Sequence, residues 1–510
     1  MITIFTLFLL TIVYLLLKRH FTQWQRLGFP TDRPFNFLSK LVRKEKPFGL
    51  IMADLYQSVQ SKVIGTYIFL KPVLLVRDTE LVRQMLTSDF ANFHDRGIYV
   101  DEKHDPLSAN LGSLKGSSWR TLRTKLTPSF TSGKLKAMFG TIDAVGDRLI
   151  NHLHEKLKNG QSRSLEIKNL LTTYAIDIIG SVIFGLDIDS FKDPDNEFRD
   201  LSDRVFNTEK TPMMIKFRTL MVFIYPPIVT LLTRLGLQDP VLRRLRDIIK
   251  ETIEFREQNG VVRKDLLQLL IQLRNTGKIS DDNDTNWQIE STAENLKSMS
   301  IDVIAANAFL FYIAGSETTS ATAAFTLYEL AMNQGVLFKV QKEIDEILLK
   351  HGIKAKGPLT YDAIQDMKYL DMCVKETNRK YPGLPVLNRE CTVDYRILQT
   401  DMLIPKGTPI FISLWGMHRD SELFPDPLNY KPERFENMNY NSMAYLPFGE
   451  GPRHCIAQRM GVMNVKIALV KILANFNIAE MPRKEVEFVF HQAPVLIPKN
   501  GLRVQLSKRF

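Results

Sequence analysis

Phe309-Leu310-Phe311-Tyr312-Ile313-Ala314 lies midway along the longest helical pattern in the chain, Ser298–Met332. A helix that is apolar on every side has to be buried, so the fold must carry this segment inside it. Gly315, Glu317, Thr318 and Thr319 follow directly. An acid and hydroxyls in a buried helix are costly unless partnered. One reading is a satisfied core pair, with a threonine bonding back to a carbonyl and bending the helix. The other is a functional site.

A second stretch carries chemistry: Phe448-Gly449-Glu450-Gly451-Pro452-Arg453-His454-Cys455-Ile456-Ala457. Gly449 and Gly451 let the backbone turn sharply and approach a flat ligand closely, and Pro452 stiffens the turn. After Cys455, the apolar residues Ile456, Met460, Met463, Ile467, Val470 and Ile472 recur at helical spacing. Cys455 is therefore expected at a helix N-terminus, where the dipole favours an anion. That favours the thiolate, the form that binds metals, and Arg453 adds positive charge. A lone cysteine is otherwise a small buried hydrophobe. Zinc fits poorly, because three cysteines in the whole chain supply no C-x₂-C partner. The same scarcity argues against a disulfide framework and for a reducing compartment. Cys373 and Cys391 lie in apolar contexts and read as core.

Net charge is +11 over 510 residues. That excess suits an anionic membrane surface or an acidic protein partner. Nucleic acid is not expected, since no long Lys/Arg run and no nucleic-acid motif occurs. Residues 1–17 carry no charged side chain. As a helix they span roughly 25 Å, close to a thin bilayer core. Lys18, Arg19 and His20 follow, and no small-residue cleavage site does. Residues 1–20 thus read as an uncleaved anchor, the basic flank placing the rest on the cytosolic side.

Residues 21–48 read as a basic linker containing Pro30, Pro34 and Pro47, and residues 49–510 as the catalytic domain. Val63–Leu70 and Val73–Arg77 form a strand pair. Thr79–Ser88 reads as a short helix capped by Thr79. Arg96–Ser118 is a loop long enough to be functional. Trp119 and Arg123, four apart on the next helix, share a face. Met213–Leu237 is apolar but is broken by Pro226-Pro227, so it is not a second membrane span. It is either a membrane-dipping, substrate-access element or plain core. Asn275–Asn295 reads as a polar linker. Glu376 and Arg379 meet on a helix face, by spacing alone a surface salt bridge. Glu487–His491 and Leu502–Leu506 look strand-like.

Phe-x-x-Gly-x-Arg-x-Cys, on Phe448, Gly451, Arg453 and Cys455, resembles the haem-binding loop of the cytochrome P-450 superfamily, whose cysteine thiolate is the proximal ligand of haem iron. Four more motifs follow in the family order: Trp119-x-x-x-Arg123, Ala314-Gly315-Ser316-Glu317-Thr318-Thr319, Glu376-x-x-Arg379 and Pro432-Glu433-Arg434-Phe435. The wording of KETNRKYP…PVLNREC and FGEGPRHC is most like insect microsomal members that oxidise foreign lipophiles. The resemblance implies a mainly α fold with a small β region behind the anchor. It implies haem b (iron protoporphyrin IX) on Cys455, with Trp119, Arg123, Arg389 and Arg453 at its propionates. Gly315 would open the helix where dioxygen is held, and Glu317 and Thr318 would manage protons. Glu376, Arg379 and Arg434 would form a buried structural triad. Two positions depart from the family: Ala457 stands for a usual glycine, and Gly383 for a usual proline.

The implied reaction is monooxygenation of a lipophilic substrate, a xenobiotic such as an insecticide or plant toxin, or an endogenous lipid or hormone. The implied place is the endoplasmic-reticulum membrane, facing the cytosol. Electrons would come from NADPH–cytochrome P-450 reductase, with cytochrome b5 as a further partner, docking on basic residues such as Arg120, Lys125 and Arg459. Membrane lipid would be a contact too. A haem-thiolate isomerase or dehydratase, and a non-catalytic haem- or lipophile-binding protein, are the alternatives. Glu317-Thr318 argues against both.

Overall fold

A computed structural model describes the chain except residues 1, 33–38, 41–42, 44–45, 159–161, 207–212, 238–239, 278, 280–298, 355–356, 438–439, 482–487, 492–494 and 510. Helix α1 (Ile2–Phe21) ends in Lys18, Arg19 and His20. Its run Ile4–Phe21 is apolar and long enough to cross a membrane, and none of it is buried against the protein. At its end the His20 ring lies 2.6 Å from the Leu70 carbonyl, and the Tyr67 hydroxyl donates to the His20 carbonyl at 2.8 Å.

The residues that follow α1 pack against the first strand pair. Trp24 is fully buried, and its indole N–H donates to the Thr66 carbonyl at 3.0 Å. Its ring covers Gly65, where a Cβ would come within 2.4 Å of the indole. Pro34 falls outside the described residues.

Among the described residues nine strands make three small sheets. β1 (Val63–Ile68), β2 (Lys71–Val76), β4 (Val386–Glu390) and β7 (Pro409–Ser413) form the largest, in the order β1-β2-β7-β4. Only the β2–β7 pairing in it is parallel. β3 (Arg163–Glu166), β9 (Arg503–Lys508) and β8 (Phe476–Ile478) form the second, and β5 (Tyr395–Arg396) with β6 (Leu403–Ile404) the third. The expected Val63–Leu70/Val73–Arg77 pair is β1/β2, and Leu502–Leu506 lies almost wholly in β9. Residues 488–491 make a single bridge, Phe490 to Pro498, rather than a strand; Glu487 lies outside the described residues. The Thr79–Arg83 helix is capped not by Thr79 but by Asp78, whose carboxylate accepts the Leu81 N–H, and a π turn, Gln84–Ser88, continues it.

The rest is mainly helical. Helices α2 (Gly116–Leu126), α3 (Ser132–Lys156), α4 (Ile167–Ile179), α5 (Met213–Ile224), α6 (Pro226–Arg234), α7 (Ile301–Met332), α8 (Lys368–Lys380) and α9 (Gln458–Asn475) position the site. α7 runs 32 residues unbroken from its N-cap Ser300 and is buried along most of its length, as its apolar centre requires. α3, α4 and α9 share its core. The run Ile167–Phe184, α4 and the π turn that continues it, is also apolar and long enough to span a membrane, but it is mostly buried in the core. The region 213–237 is not plain core: Met213, Met214, Phe217, Tyr225, Leu231 and Leu235 are exposed around the Tyr225–Pro226 break. The polar segment 275–295 lies largely outside the described residues; its first residues, to Thr276, close a helix.

Candidate active site

Cys455 ends a loop held by its own backbone. Gly449 N–H donates to Leu446 O at 2.9 Å, Cys455 N–H to Phe448 O at 2.8 Å and His454 N–H to Gly451 O at 3.0 Å. Gly449 and Gly451 have φ of 71° and 70°, the left-handed region where side chains are strained. A Cβ on Gly451 would sit 1.8 Å from the Leu86 carbonyl oxygen. The Gln84–Ser88 turn therefore leaves no space for a side chain at this position. Ala457, the N-cap of α9, has φ of −98°. Alanine adopts that freely, which accounts for the departure from glycine.

Burial pushes the Cys455 thiol above its ordinary pKa; the Ala457 N–H, Arg123 and Arg96 oppose this. Desolvation in the protein alone thus works against the thiolate preference expected from the helix terminus. A metal reverses that balance, because it replaces the proton on its ligand.

Around the loop stand four guanidinium groups. Trp119 and Arg123 do not pair as their spacing suggested. The Trp119 ring lies instead under Arg453, 4.2 Å from its guanidinium carbon, while Arg123 donates to the His454 carbonyl at 2.9 Å. Arg453 is buried and donates to the carbonyls of Leu114 (2.6 Å) and Gly112 (3.4 Å). Arg389 leaves β4 fully buried and donates to its neighbour's carbonyl, Asn388 O, at 2.8 Å. Arg96 is the fourth.

This cluster holds more cations than anions among the described residues. Among the described residues, its one ion pair is Arg453 with Asp95 at 3.7 Å. The Nε–H groups of Arg389 and Arg453 are buried without a partner. Burial, then Arg96 and Arg453, depress Arg389 well below its ordinary value. Burial, then Arg96, bring Arg453 down to about 9. Arg96 and Arg123 are lowered by burial, with Cys455 opposing. Unpaired buried donors and crowded cations call for a bound anion. The two propionates of haem meet that requirement beside a single cysteine ligand. Among the described residues no group of three or more His, Cys, Asp or Glu could hold a metal ion alone.

α7 presents one accessible edge: Ala314 is exposed and Ile313, Gly315 and Thr318 are half-buried, while Ser316, Glu317 and Thr319 are buried. The Thr318 hydroxyl donates to the Ala314 carbonyl at 2.5 Å. Gly315 serves packing, since a Cβ there would come 3.1 Å from Ile179 of α4. Gly383, the second departure, lies beside Thr318: its Cβ would meet Thr318 Cγ2 at 3.4 Å. Residues flanking the arginines, Gly97 and Glu390, line an open cavity of about 470 Å³ together with Lys71, Lys115, Thr230, Ile98, Tyr99, Val100 and the Pro226-Pro227 pair.

Glu376, Arg379 and Arg434 do come together, and they are not a surface pair. Glu376 accepts from Arg379 at 2.8 and 2.9 Å, from Arg434 Nε at 3.3 Å and from the Lys431 N–H at 2.9 Å. Arg379 also donates to the carbonyls of His418 (2.7 Å) and Pro427 (2.8 Å). His418 Nε2 accepts the Leu446 N–H at 3.2 Å, tying the triad to the start of the cysteine loop. Burial, then Arg379, drop His418 to about 3, so it stays neutral.

Three participants escaped the sequence reading: Arg96, Asp95 and Lys168. Arg96 was visible as the head of a long polar loop, but nothing local distinguished it. Lys168 pairs with Glu317 across 149 residues, a separation no local pattern reports.

The sequence model of the family described as Cytochrome P450 matches residues 27–506. The chain is 65% identical over 506 residues to Cytochrome P450 6d1 of Musca domestica, with 98% of each chain covered. It is 56% identical to Probable cytochrome P450 6d2 of Drosophila melanogaster, with 99% of each covered. It is 36% identical to Cytochrome P450 6j1 of Blattella germanica, covering 97% of this chain and 95% of the relative.

Proposed function

The chain belongs to the cytochrome P450 family, a family of haem-thiolate monooxygenases, and from that premise we propose which residues do the work. Cys455 is the thiolate ligand of haem iron. Arg389, Arg453, Arg123 and Trp119 hold the propionates, with Arg96 as an added cation. The observation that carries this reading is the set of buried, unpaired guanidinium N–H groups around the cysteine loop. Charge-assisted hydrogen bonds to two carboxylates would satisfy them. Phe448 and Gly451 shape the loop that presents the sulfur.

Haem, when bound, supplies the reductive activation of dioxygen that places one oxygen atom in the substrate and releases the other as water. The protein supplies position and protons. Thr318, on the accessible edge of α7, offers a hydroxyl there, and Glu317 beside it manages protons. The Glu376–Arg379–Arg434 triad keeps the loop in place through His418 and takes no part in the chemistry.

The substrate in this reading is lipophilic, and what supports that is the exposed apolar side chains of α5 and α6, among them Met213, Phe217, Tyr225 and Leu231. The exposed apolar face of α5 and α6 would draw such compounds from the bilayer. Xenobiotics such as insecticides and plant toxins, or endogenous lipids and hormones, fit that description. α1 holds the enzyme in the endoplasmic-reticulum membrane, with the catalytic domain in the cytosol. NADPH–cytochrome P-450 reductase delivers electrons, and cytochrome b5 assists. Arg120 and Arg459 are exposed and Lys125 half-buried, a basic surface suited to an acidic partner.

The test is substrate-dependent NADPH consumption by membranes holding this chain and the reductase. Thr318→Ala should keep the haem spectrum but divert electrons to hydrogen peroxide, cutting product per NADPH by about 10-fold or more. An unchanged product yield would remove the proton role of Thr318.

A further inference from the structure

Glu317 does not face the accessible edge of α7. Its Oε2 accepts from Lys168 Nζ at 2.6 Å, and both side chains are buried, 5% and 7% exposed. Lys168 stands in the first turn of α4. Its backbone N–H and that of Asn169 are held by the Glu166 carboxylate at 3.0 and 2.7 Å. Its ammonium also donates to Thr172 Oγ1 at 2.7 Å, and that hydroxyl is 3.3 Å from Ser320 Oγ. Ser320 in turn donates to the Glu317 carbonyl at 3.2 Å. The acid is thus one corner of a closed polar unit spanning α4 and α7, one residue from Thr318 but turned to the α4 side.

A carboxylate this deep stays charged only with a cation beside it. Lys168 is that cation, and an ammonium has three donors to fix the geometry. We infer that Lys168 is a positioning residue for oxygen activation: it holds Glu317 as an anion on the α4 side of α7, and proton delivery to the Thr318 edge depends on it. The inference rests on the proton role proposed for Glu317.

The test uses the full-length haem-loaded enzyme with reductase in membranes and 7-ethoxycoumarin as a lipophilic probe. Variants are Lys168→Met, Lys168→Arg, Glu317→Gln and the Lys168→Met/Glu317→Gln double. The reduced carbon-monoxide spectrum checks that each variant is folded and loaded. In Lys168→Met, Glu317 should take up a proton, seen as a buried carboxylic-acid carbonyl stretch in the infrared that the double variant lacks. Product per NADPH should fall about 10-fold, below the ~100-fold of a lost proton donor, and its solvent deuterium isotope effect should change. Lys168→Arg should keep the anion and most of the coupling. The double variant should be no worse than Glu317→Gln, as members of one unit are non-additive. A Lys168→Met enzyme with no new carbonyl stretch and wild-type coupling, beside an impaired Glu317→Gln, would overturn the inference. So would additive losses in the double. Wild-type coupling in Glu317→Gln would instead bring down the proton role itself, and that variant leaves Lys168 untouched.

Discussion

Two arginine clusters adjoin the cysteine loop, and they differ in one respect. In the first, Arg379 and Arg434 share the carboxylate of Glu376, and the remaining Arg379 donors reach backbone carbonyls. In the second, Arg96, Arg123, Arg389 and Arg453 face one another with Asp95 3.7 Å from Arg453 and with buried Nε–H groups left over. A buried charge persists only where something compensates it. The first cluster is compensated by the protein and is architecture. The second is not compensated by the protein, and the proposed role of the haem propionates is to supply what it lacks.

The difference predicts opposite responses to mutation. Removing Glu376 leaves buried cations without an anion, which costs about 3–5 kcal/mol. Glu376→Ala should therefore yield almost no folded, haem-loaded protein, whatever haem supply is given. Spectral haem content per expressed chain measures this, and near-normal loading would erase the distinction. Arg389→Leu removes an uncompensated charge instead. It should leave the haem-free protein as stable as wild type, or more stable by about 1 kcal/mol. The haem-loaded protein should lose stability, because the ligand then binds the folded state less tightly. Denaturant unfolding of both forms checks the sign reversal. Destabilisation of the haem-free form would mean that Arg389 is structural, like Arg379.

The same contrast shows how much the sequence could tell. The first cluster was legible because Glu376 and Arg379 are a turn apart on one helix and Arg434 sits in a distinctive Pro-Glu-Arg-Phe segment. Its burial was not legible from spacing, which by itself suggested a surface pair. The second was legible in part. Arg389, Arg453 and Cys455 came from motifs, but Trp119 was assigned to Arg123 when its ring stacks on Arg453. Helical spacing reports neighbours on one helix and is silent about residues arriving from another. Arg96 and Lys168 were missed for the same reason: each acquires its role from contacts with distant segments. Gly451 and Gly315 show the same limit, since the neighbours that a Cβ would meet there, Leu86 and Ile179, come from distant segments. The apolar centre of α7 was the safest inference, since a helix without a polar face has one place to go.

Everything assigned to the second cluster presupposes that the group between its arginines is haem bound through the sulfur of Cys455. The reduced carbon-monoxide difference spectrum of wild type and Cys455→Ala, expressed side by side, tests that directly. Wild type should show the thiolate-type band and Cys455→Ala none, even if it retains some haem through the arginines. A thiolate-type band surviving in Cys455→Ala, or a wild-type chain that carries no haem, would contradict the account.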